Sequence, residues 1–225
     1  MYIPKEETNT ERLPGFQEQI ILKSYYKCAM QTVENKLSIM NEEYFLSYGR
    51  KPIQMITSRL KKEQSVIDKM RRHGYELTAE NAVRKLHDIA GVRAICAFEH
   101  DVYHLAEVLL RHEDITLLHK KDFIANPKES GYRSLHLIIS VPIYMAAGKR
   151  DVKVEVQLRT ITMDFWADME HELRYKQRVV FPEELDREIL ECAEMSAALD
   201  ERMGRLQRNL TAYVALEKYK NKSTR

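Results

Sequence analysis

SLHLIISV (134–141) and VKVEVQLR (152–159) read as two β-strands, and the rest of the chain is best understood outward from them. Side chains alternate faces along a strand. In the second strand Val152, Val154, Val156 and Leu158 form a core face. Lys153, Glu155, Gln157 and Arg159 point the other way. In the first, Leu135, Leu137, Ile139 and Val141 share the core face, opposite Ser134, His136, Ile138 and Ser140. A polar row on a strand has two readings. It is a solvated face, or it is a rigid carboxylate flanked by an amide and a guanidinium. The second arrangement suits a metal ion, a phosphate or a hydroxyl about to lose its proton.

The flanking segments surround these strands with helices. Gly91–Phe98 (GVRAICAF) predicts a buried strand, Asp101–Arg111 a helix and Ile115–Phe123 a further strand. This order implies an α+β fold with a mixed sheet. Upstream, Leu22, Tyr26, Ala29, Val33, Leu37, Met40 and Tyr44 recur at helical spacing. A turn at Gly49–Pro52 is expected to lead into a second helix that ends near Arg72, ahead of Gly74. Thr78 is a candidate N-cap, with Asn81 in place of the usual Glu. Ile161–Gln177 predicts another helix. From Leu185, the positions Ile189, Cys192, Ser196, Leu199, Met203, Leu206, Leu210 and Tyr213 make a coiled-coil-like seam. Residues 218–225 are polar and expected to fray. The chain is read as one domain over 1–225. Its parts are N-terminal helices (1–77), a mixed-sheet core with the helix that follows it (78–177) and a C-terminal helix (178–225).

Composition narrows the function classes. The 225 residues are 44% hydrophobic and 31% charged, with a formal net charge of only +2. A DNA-binding chain is expected to be more basic, so any cationic site is local and RNA binding is not favoured. No apolar run approaches the roughly 20 residues that cross a bilayer. Met1–Glu11 is polar, without a signal-peptide core. Cys28, Cys96 and Cys192 are odd in number and far apart, which argues against a disulfide framework and fits a reducing cytoplasm.

Three polar clusters are candidates for chemistry. In Lys128–His136 (KESGYRSLH), Gly131 permits a sharp turn or a close approach. Lys128 and Arg133 suit phosphates, and Tyr132 offers a flat face to a base. Lys61, Ser65 and Lys69 fall at helical spacing just after Arg59, which is either a solvated face or a phosphate cradle. Asp88, in HDIAGVR, enters a buried strand where a carboxylate suits Mg²⁺. His100 and His104 stand one helical turn apart but have no obvious third zinc ligand. Trp166 is expected in the core; Glu170 either lines the site or forms a salt bridge.

Taken together, HDIAGVR, KESGYRSLHL, VEVQLRT and FWADMEHELRYK resemble the synthetase domain of RelA/SpoT-type enzymes. The whole chain is similar to a small alarmone synthetase, the stand-alone bacterial type. Asp164 in TMDFW makes it resemble the RelP branch more than the RelQ branch, where Asn is expected. The resemblance implies a nucleotidyltransferase-like fold, a homotetramer and a cytoplasmic, bacterial setting. It implies transfer of the β,γ-pyrophosphoryl group of ATP to the 3′-hydroxyl of GDP or GTP, with GMP a further candidate acceptor. The products are ppGpp or pppGpp, and AMP.

The resemblance also implies roles. Arg59 and Arg93 sandwich the adenine, while Lys61, Ser65 and Lys69 hold the ATP phosphates. Asp88 and Glu155 handle Mg²⁺, with Glu155 also the base. Tyr132 stacks on guanine, Lys121, Lys128 and His136 meet acceptor phosphates, and Asp164 accepts from guanine. Ser134, Gln157, Arg159 and Glu170 are secondary members. The stretch around Glu34, Ser38, Asn41 and Met55 lacks the basic and aromatic residues of the RelQ allosteric site, so weak activation by product is expected. There is no room for the hydrolase domain of long family members, so synthesis without hydrolysis is expected. A nucleotidyltransferase of the same fold and a catalytically silent nucleotide- or RNA-binding module are the rival readings; Asp88, Glu155 and Tyr132 together weigh against the silent module.

Overall fold

The two strands that open the sequence argument form a long hairpin at the centre of the structure, a computed structural model that describes residues 16–175 and 182–223. Chain order is α1 (Phe16–Tyr48), β1 (Ile53–Leu60), α2 (Glu63–Arg72), α3 (Ala79–Lys85), β2 (Ala90–Cys96), α4 (Glu99–Leu110), β3 (Thr116–Asp122), β4 (Leu135–Met145), β5 (Gly148–Thr160), α5 (Ile161–Tyr175) and α6 (Glu183–Ser223). The expected α+β class is present as a five-stranded sheet in the order β1-β2-β5-β4-β3. β2 and β5 run parallel, and the other neighbours are antiparallel.

Parity decides which side of this sheet is core. Leu135, Leu137, Ile139, Val141, Val154, Val156 and Leu158 are fully buried. Each such side chain contributes about 1.5–3 kcal/mol relative to exposure. α1 and α4 pack against the sheet, and the α1 stripe from Tyr26 through Met40 is buried as its spacing requires. Thr78 caps α3 by accepting from the Asn81 amide at 3.2 Å. At the far end of α1, Arg50 makes a two-pronged ion pair with the fully buried Asp101 of α4, at 2.7 and 2.8 Å. His100 also meets Arg50, and His104 lies edge-on to Tyr44, so these two histidines have structural roles.

The structure corrects three expectations. The predicted second helix is a strand, β1, followed by the short helix α2. The Ile53, Ile56 and Leu60 spacing imitates a helix because a register irregularity lies between Ile53 and Met55. Arg59 is therefore a strand residue, and Lys61 precedes α2 instead of sharing its face with Ser65 and Lys69. The α6 seam is open on this chain, as a stripe that one domain does not cover: Leu199, Met203, Leu206, Leu210 and Tyr213 are about half exposed or more. The face turned to the body carries Ile189, Ala193 and Asp200. The backbone stays helical to Ser223 instead of fraying from 218. Ser134 is fully buried and donates toward the Leu158 carbonyl at 3.3 Å, so it is a structural residue and not a site member. Residues 176 and 177, expected to end α5, and the polar N-terminus lie outside the described residues.

Candidate active site

The strand register gathers the polar rows on one face. Arg59 pairs with Gly91, Gly91 with Glu155, and Glu155 with Ile138. One row along, Thr57 pairs with Arg93, Arg93 with Gln157, Gln157 with His136, and His136 with Lys121. Partners across a ladder point to the same side. A cleft of about 430 Å³ opens over this face, lined by Thr57, Ser58, Arg59, Lys61, Asp88, Gly91, Val92, Arg93, Glu155 and Gln157. Gly91 keeps its floor low, because any side chain there would rise between Arg59 and Glu155.

At one end, two lysines converge on one carboxylate. The Lys61 amide donates to the Ile89 carbonyl at 2.8 Å, which carries the β1–β2 ladder one step further and holds Lys61 beside Asp88. Lys61 Nζ lies 2.6 Å and Lys69 Nζ 2.9 Å from Asp88 Oδ2. Burial works to raise the Asp88 pKa, but the hydrogen bonds and charges of the two lysines outweigh it and hold the carboxyl below its ordinary range. Asp88 Oδ1 is buried and has no hydrogen-bond partner.

At the other end, hydrogen bonds form a directed chain. Arg159 donates to the Tyr132 hydroxyl at 2.5 Å, and that hydroxyl lies 2.9 Å from His136 Nε2. His136 Nδ1 lies 3.2 Å from Glu155 Oε1, and Gln157 donates to Glu155 Oε2 at 3.0 Å. The partners assign the tautomer. Nδ1–H faces the carboxylate, and Nε2 accepts from tyrosine. Burial pushes the Glu155 pKa up, but the His136 and Gln157 contacts prevail and keep it below its ordinary value. Lys128 Nζ sits 4.7 Å from the Tyr132 ring centroid and 4.9 Å from that of Phe123. A base stacking on that side of Tyr132 displaces the ammonium.

α5 joins the two ends. Asp164 is nearly buried, and its Oδ1 receives Arg93 at 3.0 Å and Arg159 at 3.1 Å. Asp168, one turn later, reaches Arg93 at 3.6 Å.

Most of the predicted set therefore converges. Ser65 lies on α2 one turn before Lys69. Lys121 is on the site face of β3, and Lys128 is on the loop before β4. Glu170 does not line the cleft; it pairs with Arg174 at 2.8 Å. Gly131, with φ +87°, serves a close approach to α6 instead of to a ligand, since a Cβ there would stand 2.4 Å from the Ala193 Cβ. Thr57, Ser58, Gly91, Phe123 and Asp168 were missed. Parity along 53–60 would have found Thr57, which shares its face with Arg59, had that segment been read as a strand.

Two carboxylates in the cleft suit a hard cation. Asp88 and Glu155 are close enough for each other's charge to be felt, and Asp88 presents an unpartnered oxygen. Among the described residues no group of three His, Cys, Asp or Glu side chains forms a closed metal site. The geometry fits Mg²⁺, which takes one or two protein carboxylates and completes its shell with water and substrate phosphates.

Comparison with known proteins shows the family. Residues 58–179 match the model of a region found in RelA/SpoT proteins. The chain is 44% identical over 178 residues to the GTP pyrophosphokinase YwaC of Bacillus subtilis, covering 79% of this chain and 85% of that protein. It is 35% identical to the GTP pyrophosphokinase YjbM of the same organism, covering 81% and 85%. The crystal structure of small alarmone synthetase 1 from Bacillus subtilis, bound to its product pppGpp, superposes with a TM-score of 0.78 at 33% identity, covering 86% of this chain and 98% of that one. With a family match across more than half its length and relatives this similar along most of theirs, the chain belongs to the RelA/SpoT family, among its small alarmone synthetases.

Proposed function

We propose that the protein is a GTP pyrophosphokinase that moves the β,γ-pyrophosphoryl group of ATP to the 3′-hydroxyl of GDP or GTP, yielding ppGpp or pppGpp and AMP. The observation that carries this is the position of Glu155 between two unlike halves of one sheet face. One half is a cationic cradle with two arginines, suited to a nucleoside triphosphate. The other is a tyrosine–histidine surface, suited to a second nucleotide. Phosphoryl transfer needs charge neutralisation and in-line placement more than covalent chemistry.

In this reading Arg59 and Arg93 hold the adenine between planar guanidinium groups. Lys61, Ser65 and Lys69 meet the triphosphate. Tyr132 stacks on guanine, Asp164 contacts its edge, and Lys121, Lys128 and His136 take the acceptor's 5′-phosphates. Gln157 and Arg159 hold Glu155 and Tyr132 in place. Mg²⁺, held by Asp88 and Glu155, would neutralise charge on the phosphate oxygens. Glu155 stays ionised at neutral pH, accepts a hydrogen bond from the 3′-hydroxyl and takes its proton as the new O–P bond forms. The bond between the β-phosphorus and the oxygen bridging to the α-phosphate breaks, and AMP leaves.

The reading extends to synthesis without hydrolysis, weak activation by product, the RelP branch and a cytoplasmic setting. No described helix is long and apolar enough to cross a membrane. A homotetramer is supported by apolar stripes that this chain leaves open, on α6 and at Ile161, Phe165, Met169 and Leu173 of α5. The deciding experiment incubates the chain with Mg²⁺, ATP and GDP. AMP and ppGpp in equal amounts are expected; release of inorganic pyrophosphate with nucleotide addition overturns the reading in favour of a nucleotidyltransferase.

A further inference from the structure

A pair of histidines stands beyond the roles assigned above. His119 lies on β3, and its position there depends on a β-bulge. Leu117 pairs with Ile139 on the core face, while His119 pairs with Ile138, so Leu118 is the extra residue. A bulge of this kind re-aims the side chains that follow it. Without it, strict alternation from Leu117 would send His119 and Lys121 toward the core. With it, His119 joins the row Gly91–Glu155–Ile138 on the site face.

His87 arrives at the same place from another direction. Lys153 of β5 donates to the carbonyls of Val83 and Arg84 at 3.2 and 2.8 Å, which ties the end of α3 to the sheet. The chain then turns through His87 to Asp88. The rings of His87 and His119 meet edge to face, with centroids 5.2 Å apart. His87 Nδ1 is buried without a hydrogen-bond partner. Burial first, then the charges of Lys153, His119 and Lys69, hold the His87 pKa below its ordinary value, with Asp88 opposing them. An imidazole pair with an unused ring nitrogen, next to the Lys69–Asp88 pair and in line with Glu155, is a place for an anion.

We propose that His87 and His119 form a subsite for the terminal phosphate of the transferring pyrophosphoryl group, the γ-phosphate of ATP and later the outer phosphate on the product's 3′-oxygen. This rests on the pyrophosphoryl-transfer reading. The acceptor's 5′-phosphates are served from the neighbouring row by Lys121 and His136, so the pair acts on the donor side. Ring N–H groups donate to phosphate oxygens without moving a proton, and the chemistry remains that of the proposed transfer.

The test is steady-state kinetics with the full chain, comparing wild type with H87A, H119A and H119Q. Each alanine variant is expected to raise the KM for ATP about tenfold, the size of a lost charge-assisted hydrogen bond. The KM for GDP should stay within about twofold, and H119Q should recover part of the loss through its own N–H donor. Inorganic pyrophosphate should compete with ATP and should do so about tenfold less well in both alanine variants. An unchanged ATP KM together with unchanged pyrophosphate inhibition in both variants overturns the proposal, as does a change confined to the GDP KM. His119 is exposed on an edge strand, so H119A gives the answer even where H87A destabilises the chain. A wild-type chain that releases no AMP defeats the pyrophosphoryl-transfer reading instead. Calorimetric binding of pyrophosphate to wild type and H119A then decides the histidine subsite separately, with equal affinities overturning it.

Discussion

The two ends of the cleft hold their charges in different ways. Around Asp88, just before β2, Lys61 from the segment ahead of α2 and Lys69 from α2 itself are parked on one carboxylate. Around Glu155, the partners sit on its own strand and on the neighbouring one, and Gln157 and His136 already satisfy both oxygens. In the proposed reaction the first end exchanges an internal ion pair for the ligand's charge. The second is set in place before any ligand arrives. The difference separates two physical tasks: a flexible cationic grip adapts to a polyphosphate, whereas a carboxylate on a stiff ladder fixes an angle of attack.

This contrast is broken most severely at Glu155. Glu155→Gln keeps the size and the hydrogen-bonding reach but removes the negative charge. Turnover is expected to fall by about 10²–10⁴, the range for a lost general base, while ATP and GDP binding measured by calorimetry stays near wild type. Near-normal turnover would exclude Glu155 as the base.

A smaller effect of unusual sign is expected at the other end. Asp88→Asn frees Lys61 and Lys69 from their ion pair. Without divalent cations, ATP should bind the variant about threefold to tenfold more tightly, as expected when a competing charge is removed. With Mg²⁺ present, the variant should turn over poorly. Weaker binding of metal-free ATP would mean that Asp88 orders the lysines for the ligand instead of competing with it.

The smallest effect concerns acid stability. Asp88 and Glu155 both have folded pKa values below their ordinary values of 3.8 and 4.5. The unfolded chain therefore binds more protons in this range, and stability falls as pH falls. The contribution is complete above the ordinary values and disappears as pH drops through the depressed ones. Urea midpoints measured from pH 6 downward should decline on entering the ordinary carboxylate range, and Asp88→Asn should flatten part of that slope. A parallel decline in the variant would remove Asp88 from the account.

Particular residues show how far the sequence could be read. The faces of β4 and β5 were legible because a hydrophobic core on one side forces a period of two, so Glu155, Gln157 and His136 were assigned to the site face at once. Arg59 was identified as a site residue but placed on the wrong element. The irregularity between Ile53 and Met55 spaces Ile53, Ile56 and Leu60 like a helix, and most of β1 is exposed on both faces, which weakens alternation. Ser134 satisfied parity, but the Leu158 carbonyl and full burial claim its hydroxyl. Glu170 was left between two roles, and Arg174 one turn away decides for the ion pair.

By itself the sequence determined which residues of each strand face the core, because alternation is local and water penalises any other assignment. It also determined the helical stripe of α1 and the family. The tertiary structure decided which strands are neighbours. The order β1-β2-β5-β4-β3 sets Gly91, Glu155, Ile138 and His119 in one row. No local spacing encodes that row, since ladder partners are chosen by packing and register across the whole sheet. The bulge at Leu118 is the clearest instance: one extra residue reverses the facing of His119 and Lys121, and only the paired strand reveals it.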